Sequence, residues 1–120
     1  QGVQRNNFAG EVYPASLAGA VRYAHQAAGI PILVTEHGVV TTDDAIRAQM
    51  LPAALSALKD VIDEGVPVRG YMHWSLIDNF EWSLGYFPKF GLAAVDRSTF
   101  QRTLKPSAHV LGEIAHRNAV

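Results

Sequence analysis

Two short, nearly uninterrupted apolar runs limit what this chain can fold into. Ile30 to Thr35 is one, closing on Glu36, and Val68 to Trp74 is the other. Each is too short for a helix of ordinary length and reads as a buried strand. Between them Ile46, Met50, Ala54, Leu58 and Ile62 recur at four-residue spacing, with Leu55 and Val61 widening the stripe. A strand, a helix and a second strand in that order give a parallel pair covered on both faces. Leu17, Val21, Ala24 and Ala28 form an earlier helical stripe, closed by Gly29, with Pro14 suited to the helix's first turn. Lys105-Pro106-Ser107 opens a last helix with Leu111, Ile114 and Ala115 on its inner face. The class is therefore α/β, in the alternation that builds half of an α/β barrel.

Local signals refine this outline. Thr41-Thr42-Asp43-Asp44 supplies a hydroxyl cap and first-turn acids for the middle helix. Pro52 lies inside that helix and is expected to kink it or mark a second start, because it lacks a backbone donor. Gly65 and Pro67 end it. Gly91 to Asp96 is expected as a short strand paired with the segment around Arg102. Gln1 to Gly10 lacks periodicity and reads as a loop or frayed end.

The loop from Ser75 to Phe90 is long for a barrel connection, and ordered loops of that length are commonly functional. It opens on Trp74-Ser75-Leu76-Ile77-Asp78-Asn79-Phe80-Glu81-Trp82. Indole faces stack on the apolar faces of sugar rings, and carboxylates and amides bond sugar hydroxyls. The stretch fits a carbohydrate site at the C-terminal end of a strand; the alternative is a packed loop whose polar groups cap backbone. Glu36 also ends a strand, where barrel enzymes place reactive groups, although a strand end can carry an ordinary surface acid.

The run from Gly70-Tyr71 to Trp82, with Gly85-Tyr86 and Lys89-Phe90-Gly91-Leu92, resembles the C-terminal signature of the family 1 glycoside hydrolases, the β-glucosidase family. Pro31-Ile32-Leu33-Val34-Thr35-Glu36-His37-Gly38 resembles that family's nucleophile strand. Val95-Asp96 and Arg102 to Ala108 resemble its closing segment. The resemblance runs from about Tyr13 onward. It implies the C-terminal part of a (β/α)8 TIM barrel, the last two of eight strands with flanking helices, incomplete as a barrel on its own. Residues 1–120 would then be one C-terminal fragment of a single glycosidase barrel domain, with the natural N-terminus elsewhere.

The resemblance also implies a chemistry: hydrolysis of O-glycosidic bonds with retention, by a β-glucosidase-like enzyme. Glu36 matches the nucleophile that forms a covalent glycosyl-enzyme. Trp74, Glu81 and Trp82 match residues that line the glycone pocket, hold neighbouring hydroxyls and pack on the ring. Phe90 matches an aromatic near the exocyclic carbon, and Asp78 and Asn79 are expected to shape the loop. The family's acid/base Glu lies in an Asn-Glu-Pro motif, which does not occur here, so the site is half present. Two departures stand out: His37 where Asn is usual, and Leu104 where Pro is common.

The implied substrate is a small-molecule β-glycoside or oligosaccharide. The implied partner is the missing N-terminal barrel portion, against which Leu33, Val34, Tyr71 and Met72 are expected to need cover. No metal or organic cofactor is expected, because two carboxylates carry the proton and covalent work. His25, His73, His109 and His116 lack metal-ligand spacing. A net charge of -1 without a basic run gives no reason to expect nucleic acid or an anionic membrane as a partner. No apolar run approaches a membrane span, and the absence of cysteine leaves the compartment open. Two alternatives stand beside the enzyme reading: a catalytically inactive truncated remnant, or a subunit completed by a partner chain. The chain alone is expected to be silent.

Overall fold

The computed structural model describes residues 2–120; Gln1, part of the expected N-terminal loop, lies outside the described residues. Helix α1 (Ser16–Ala28) leads to strand β1 (Ile32–His37), helix α2 (Asp44–Asp63) and strand β2 (Val68–His73). The long loop carries a 3-10 turn at Trp82–Leu84. Strands β3 (Ala93–Val95) and β4 (Arg102–Leu104) and helix α3 (Pro106–Arg117) follow. β1 and β2 pair in parallel, with Ile32 opposite Val68 and His37 opposite His73. β3 and β4 form the expected antiparallel pair, Val95 facing Arg102. Among the described residues there is no closed barrel.

The helices start and stop where local chemistry directs. The cap of α2 is the Asp43 carboxylate rather than the expected hydroxyl: it accepts from the Ala45 amide at 3.0 Å, an interaction of about 1 kcal/mol, while the Thr41 hydroxyl accepts from the Asp43 amide. Gly29 closes α1 at φ 67°, left-handed backbone that glycine adopts without a Cβ penalty. Pro52 does not split α2, which runs unbroken for 20 residues. Leu51, Ala54 and Leu55 beside it are buried, and their packing outweighs one lost backbone bond.

α1 and α3 both pack on α2, and α1 also meets β1. Leu17, Ala18, Val21, Val34, Ala54, Leu55, Leu58 and Val61 form the core, with Ile32, Val68, Tyr71, Leu111 and Ile114 packed against it. The expected stripe of α2 is buried at Met50, Ala54, Leu55, Leu58 and Val61; Arg47 and Leu51 join it fully buried, whereas Ile62 is 44% exposed. Ala28 and Ala115 are likewise exposed rather than inward.

The sheet is covered on one face only, not on both. Val34 is buried in the core, contrary to the expectation that it lacks cover, and Tyr71 is half-buried. Leu33 and Met72 remain 47% and 53% exposed. Alternate side chains of a strand point to opposite faces, so the layer of helices shelters Val34 and leaves Leu33 bare. The N-terminal segment is tied down rather than frayed. The Asn7 amide donates to the Val40 carbonyl, and the Asn7 side chain accepts from the Thr42 amide at 2.6 Å.

Candidate active site

Glu36 is exposed near the C-terminal end of β1. The Trp74 amide donates to the His37 carbonyl at 2.9 Å, carrying the pairing of β1 and β2 one step past the strands. Gly38 follows where the ends of the two strands run close together: a Cβ there would lie 1.9 Å from the Trp74 carbonyl oxygen. A side chain at residue 38 would drive Glu36 and Trp74 apart. The Trp74–Ser75 peptide is cis.

The loop after Trp74 folds onto its own far end. The Ser75 amide donates to the Phe90 carbonyl, Leu92 to Ser75, Ala93 to Leu76, and Asp78 to Ala93. Asp78 is the buried anchor of this arrangement. Its Oδ1 accepts from the Gly91 amide and from Lys105 Nζ, both at 2.9 Å. Gly91 has no room for a Cβ, which would sit 2.2 Å from the Asp78 nitrogen. Arg97 donates to the Asp78 carbonyl and lies over the Tyr86 ring, 4.1 Å from its centroid. Asp78 therefore shapes the loop.

Glu36, His37, Gly38, Trp74, Glu81, Trp82 and Phe90 line one cavity of about 510 Å³. The five residues singled out from sequence thus come together from two strand ends and one loop. Trp74 Nε1 donates to Glu81 Oε1 at 3.3 Å, so the indole steers the carboxylate. Trp82, 84% exposed, sits in left-handed backbone at φ 49° and presents its ring to solvent. Holding a bulky residue there costs on the order of 1–3 kcal/mol, a cost that recurs at ligand clamps. The other glutamates are elsewhere. Glu64 pairs with Arg22 and Glu113 with Arg117, while Glu11 is paired through backbone with Arg5.

His37 is engaged rather than free. Its Nδ1 lies 2.9 Å from the Tyr71 hydroxyl, which is also 3.3 Å from His73 Nδ1. Burial lowers the His37 pKa below the ordinary imidazole value, so the ring is neutral at neutral pH rather than a standing cation beside Glu36. Burial also lowers His73, with the Arg47 charge adding to the effect, to about 4, and raises Tyr71. Among the described residues, no group of three or more His, Asp or Glu side chains is arranged to hold a metal ion, and no helix is long and apolar enough to cross a membrane.

Sequence reasoning missed Arg47. Its side chain is buried, donating to Thr41 and Lys89 carbonyls at 3.0 and 2.7 Å and more weakly to Val39 at 3.4 Å. It also pairs with Asp44, which accepts from the amide and hydroxyl of Ser107 at 2.8 Å. Burial pushes the Asp44 pKa up, but the bonds from Ser107 and Arg47 outweigh it and hold the carboxyl below its ordinary value. Spacing offers a faint signal: Asp44 and Arg47 are three apart on one helix face.

The model of glycosyl hydrolase family 1 matches residues 2–120. The chain is 46% identical over 100 residues to a chloroplastic galactolipid galactosyltransferase of Arabidopsis thaliana, covering 82% of this chain and 16% of that protein. It is 36% identical over 115 residues to a β-galactosidase of Sulfolobus acidocaldarius, covering 96% of this chain and 23% of that one. The crystal structure of a β-glycosidase from the hyperthermophile Thermosphaera aggregans superimposes with a TM-score of 0.93 at 41% identity, over 98% of this chain and 24% of that one. The chain spans at most about a quarter of the length of these relatives.

Proposed function

The chain belongs to glycosyl hydrolase family 1, and from that premise we propose that it is the C-terminal portion of a retaining β-glycosidase barrel. In this reading residues 1–120 are part of one barrel domain and contribute its last two strands. Glu36 is the nucleophile. It attacks the anomeric carbon, the aglycone leaves with a proton from an acid/base carboxyl outside this chain, and a covalent glycosyl-enzyme forms. Water, activated by the same acid/base, then releases the sugar with net retention. The two carboxyls need a separation of about 5–5.5 Å for this course.

The observation that carries the reading is the single cavity shared by Glu36, Trp74, Glu81, Trp82 and Phe90. A nucleophile and a sugar-binding set there fit a glycone subsite. Trp82 offers an exposed ring face for stacking, and Glu81 accepts hydroxyl hydrogen bonds at an orientation set by Trp74. His37, held by Tyr71, is a neutral neighbour rather than a proton donor to the sugar. One relative is named a galactosyltransferase; a glycosyl-enzyme reacts with a sugar hydroxyl by the same step as with water, so transglycosylation belongs to the same mechanism.

Completion by the rest of the barrel is favoured over an inactive remnant by the bare sheet face at Leu33 and Met72 and by the outer edges of β1 and β2, unpaired among the described residues. The test is complementation. The 120-residue chain is expected to give no turnover of an aryl β-glucoside alone and measurable turnover when joined to the N-terminal portion of its barrel. Activity from the isolated chain, or none from the completed barrel, would sink the proposal.

A further inference from the structure

We infer that Arg47 is a positioning residue of this site, setting the spacing between the loop that follows Glu36 and the loop that carries Phe90. The inference rests on the glycosidase reading only for its kinetic readout. Its structural basis is independent of what the cavity binds.

Arg47 is fully buried in the middle of the first half of α2, a position that packing alone would give to an aliphatic residue. Its two terminal nitrogens divide the work. One meets the Asp44 carboxylate. The other faces three carbonyls, of Val39 and Thr41 in the loop after Glu36 and of Lys89 immediately before Phe90. Two N–H groups shared among three acceptors explain the long contact to Val39. The Lys89 carbonyl also accepts from the Thr41 amide at 3.0 Å, so both loops meet at one oxygen. A planar, forked cation can hold an anion on one prong and two backbone segments on the other; a lysine ammonium cannot span that set.

Neutralisation is built in. Asp44 supplies the counter-charge, and Ser107 at the start of α3 fixes Asp44 from its other side. The cation is thus locked between α3 and the two loops, and a buried pair of this kind fails badly when one member is removed. Neither Arg47 nor Asp44 lines the cavity. Arg47 therefore acts through the backbone of residues 39–41 and 89, and through them on the relative placement of Glu36 and Phe90.

The experiment uses the complete barrel protein carrying Arg47→Lys or Arg47→Met, with Leu58→Ala as a buried control in the core cluster, which includes no residue of either loop. Two readouts are taken on folded protein well below its melting temperature: hydrogen exchange of residues 38–42 and 86–91, and kcat and KM per folded molecule. Faster exchange confined to those two segments is expected in both Arg47 variants and not in Leu58→Ala. A fall in kcat approaching 10²-fold is expected in Arg47→Met, the scale of a misplacement near 1 Å. In a further variant, Arg47→Ala, guanidinium at millimolar concentration is expected to restore part of the lost kcat, and to restore nothing to Leu58→Ala. Unchanged loop exchange with wild-type kcat in Arg47→Lys would overturn the inference. If Arg47→Met fails to fold, Arg47→Lys decides. A wild-type protein without glycosidase activity refutes the functional reading, while the exchange data still decide the role of Arg47.

Discussion

Gly38→Ala is a small change with a large expected effect. The added Cβ would lie 1.9 Å from the Trp74 carbonyl oxygen, against the 3.0 Å that real Cβ atoms keep. The two nearest atoms, the Trp74 carbonyl oxygen and carbon, are backbone, so no side chain can swing aside. Relief requires the ends of β1 and β2 to separate by about 1 Å, a displacement that can cost about 10²-fold in rate when it falls on reacting groups. It would strain the Trp74–His37 backbone bond and shift Glu36 relative to Trp74. Overpacking of this kind costs about 1–3 kcal/mol of stability. Gly112→Ala provides the control. A Cβ there meets nothing within 4 Å, and alanine in a helix is favoured over glycine by about 1 kcal/mol. The assay is kcat/KM for an aryl β-glucoside with a thermal melt of each variant in the complete protein. Gly38→Ala is expected to lose activity and melting temperature together, and Gly112→Ala to lose neither. Wild-type kcat/KM in Gly38→Ala would refute the claim that this close approach sets the site.

Further outcomes follow from charge and burial. Glu81 on the cavity wall should repel a 6-phosphate, with like charges in a dry pocket costing on the order of several kcal/mol; comparable kcat/KM for a glucoside and its 6-phosphate would count against Glu81 as a glycone contact. His73 is held neutral to about pH 4, below its ordinary value of 6.5. Below the unfolded value the unfolded chain binds the extra proton, so this contribution is present above about pH 6.5 and is lost as pH falls through about 4. The loss amounts to about 3 kcal/mol at most. Denaturation of wild type and His73→Gln between pH 7 and 4 checks it: the wild type should lose stability faster, and parallel curves would show that His73 is not the cause.

The parts of the fold legible in sequence are those set by local chemistry. α2 starts at the Thr41 to Asp44 signal, although on Asp43 rather than a hydroxyl, Gly29 ends α1, and β3 pairs with β4, because short-range signals act within a few residues. What tertiary packing decides was harder to see. Ile32, Leu33 and Val34 are equally apolar, yet Leu33 lies bare because only one face of the sheet meets helices. Pro52 signals a break that the packing of Leu51, Ala54 and Leu55 overrides. Arg47 resembles any solvated helix arginine until the loops that cover it are in place. Within the site, the strand-end glutamate and the tryptophan-rich loop stand out by composition. The supports beneath them, Tyr71 against His37 and Lys105 against Asp78, join residues 34 and 27 positions apart that no short pattern connects.

If Glu36 is a covalent nucleophile, its loss is open to chemical rescue. In the completed barrel, Glu36→Ala should abolish hydrolysis of an aryl β-glucoside while leaving Trp74, Glu81, Trp82 and Phe90 to bind the sugar. Azide should then enter the space of the lost carboxylate and attack the anomeric carbon of an activated substrate from the nucleophile's side. The account predicts restored turnover with azide and an inverted α-glycosyl azide as the product. Undiminished hydrolysis in Glu36→Ala without azide, or a β-glycosyl azide as the rescued product, would contradict it.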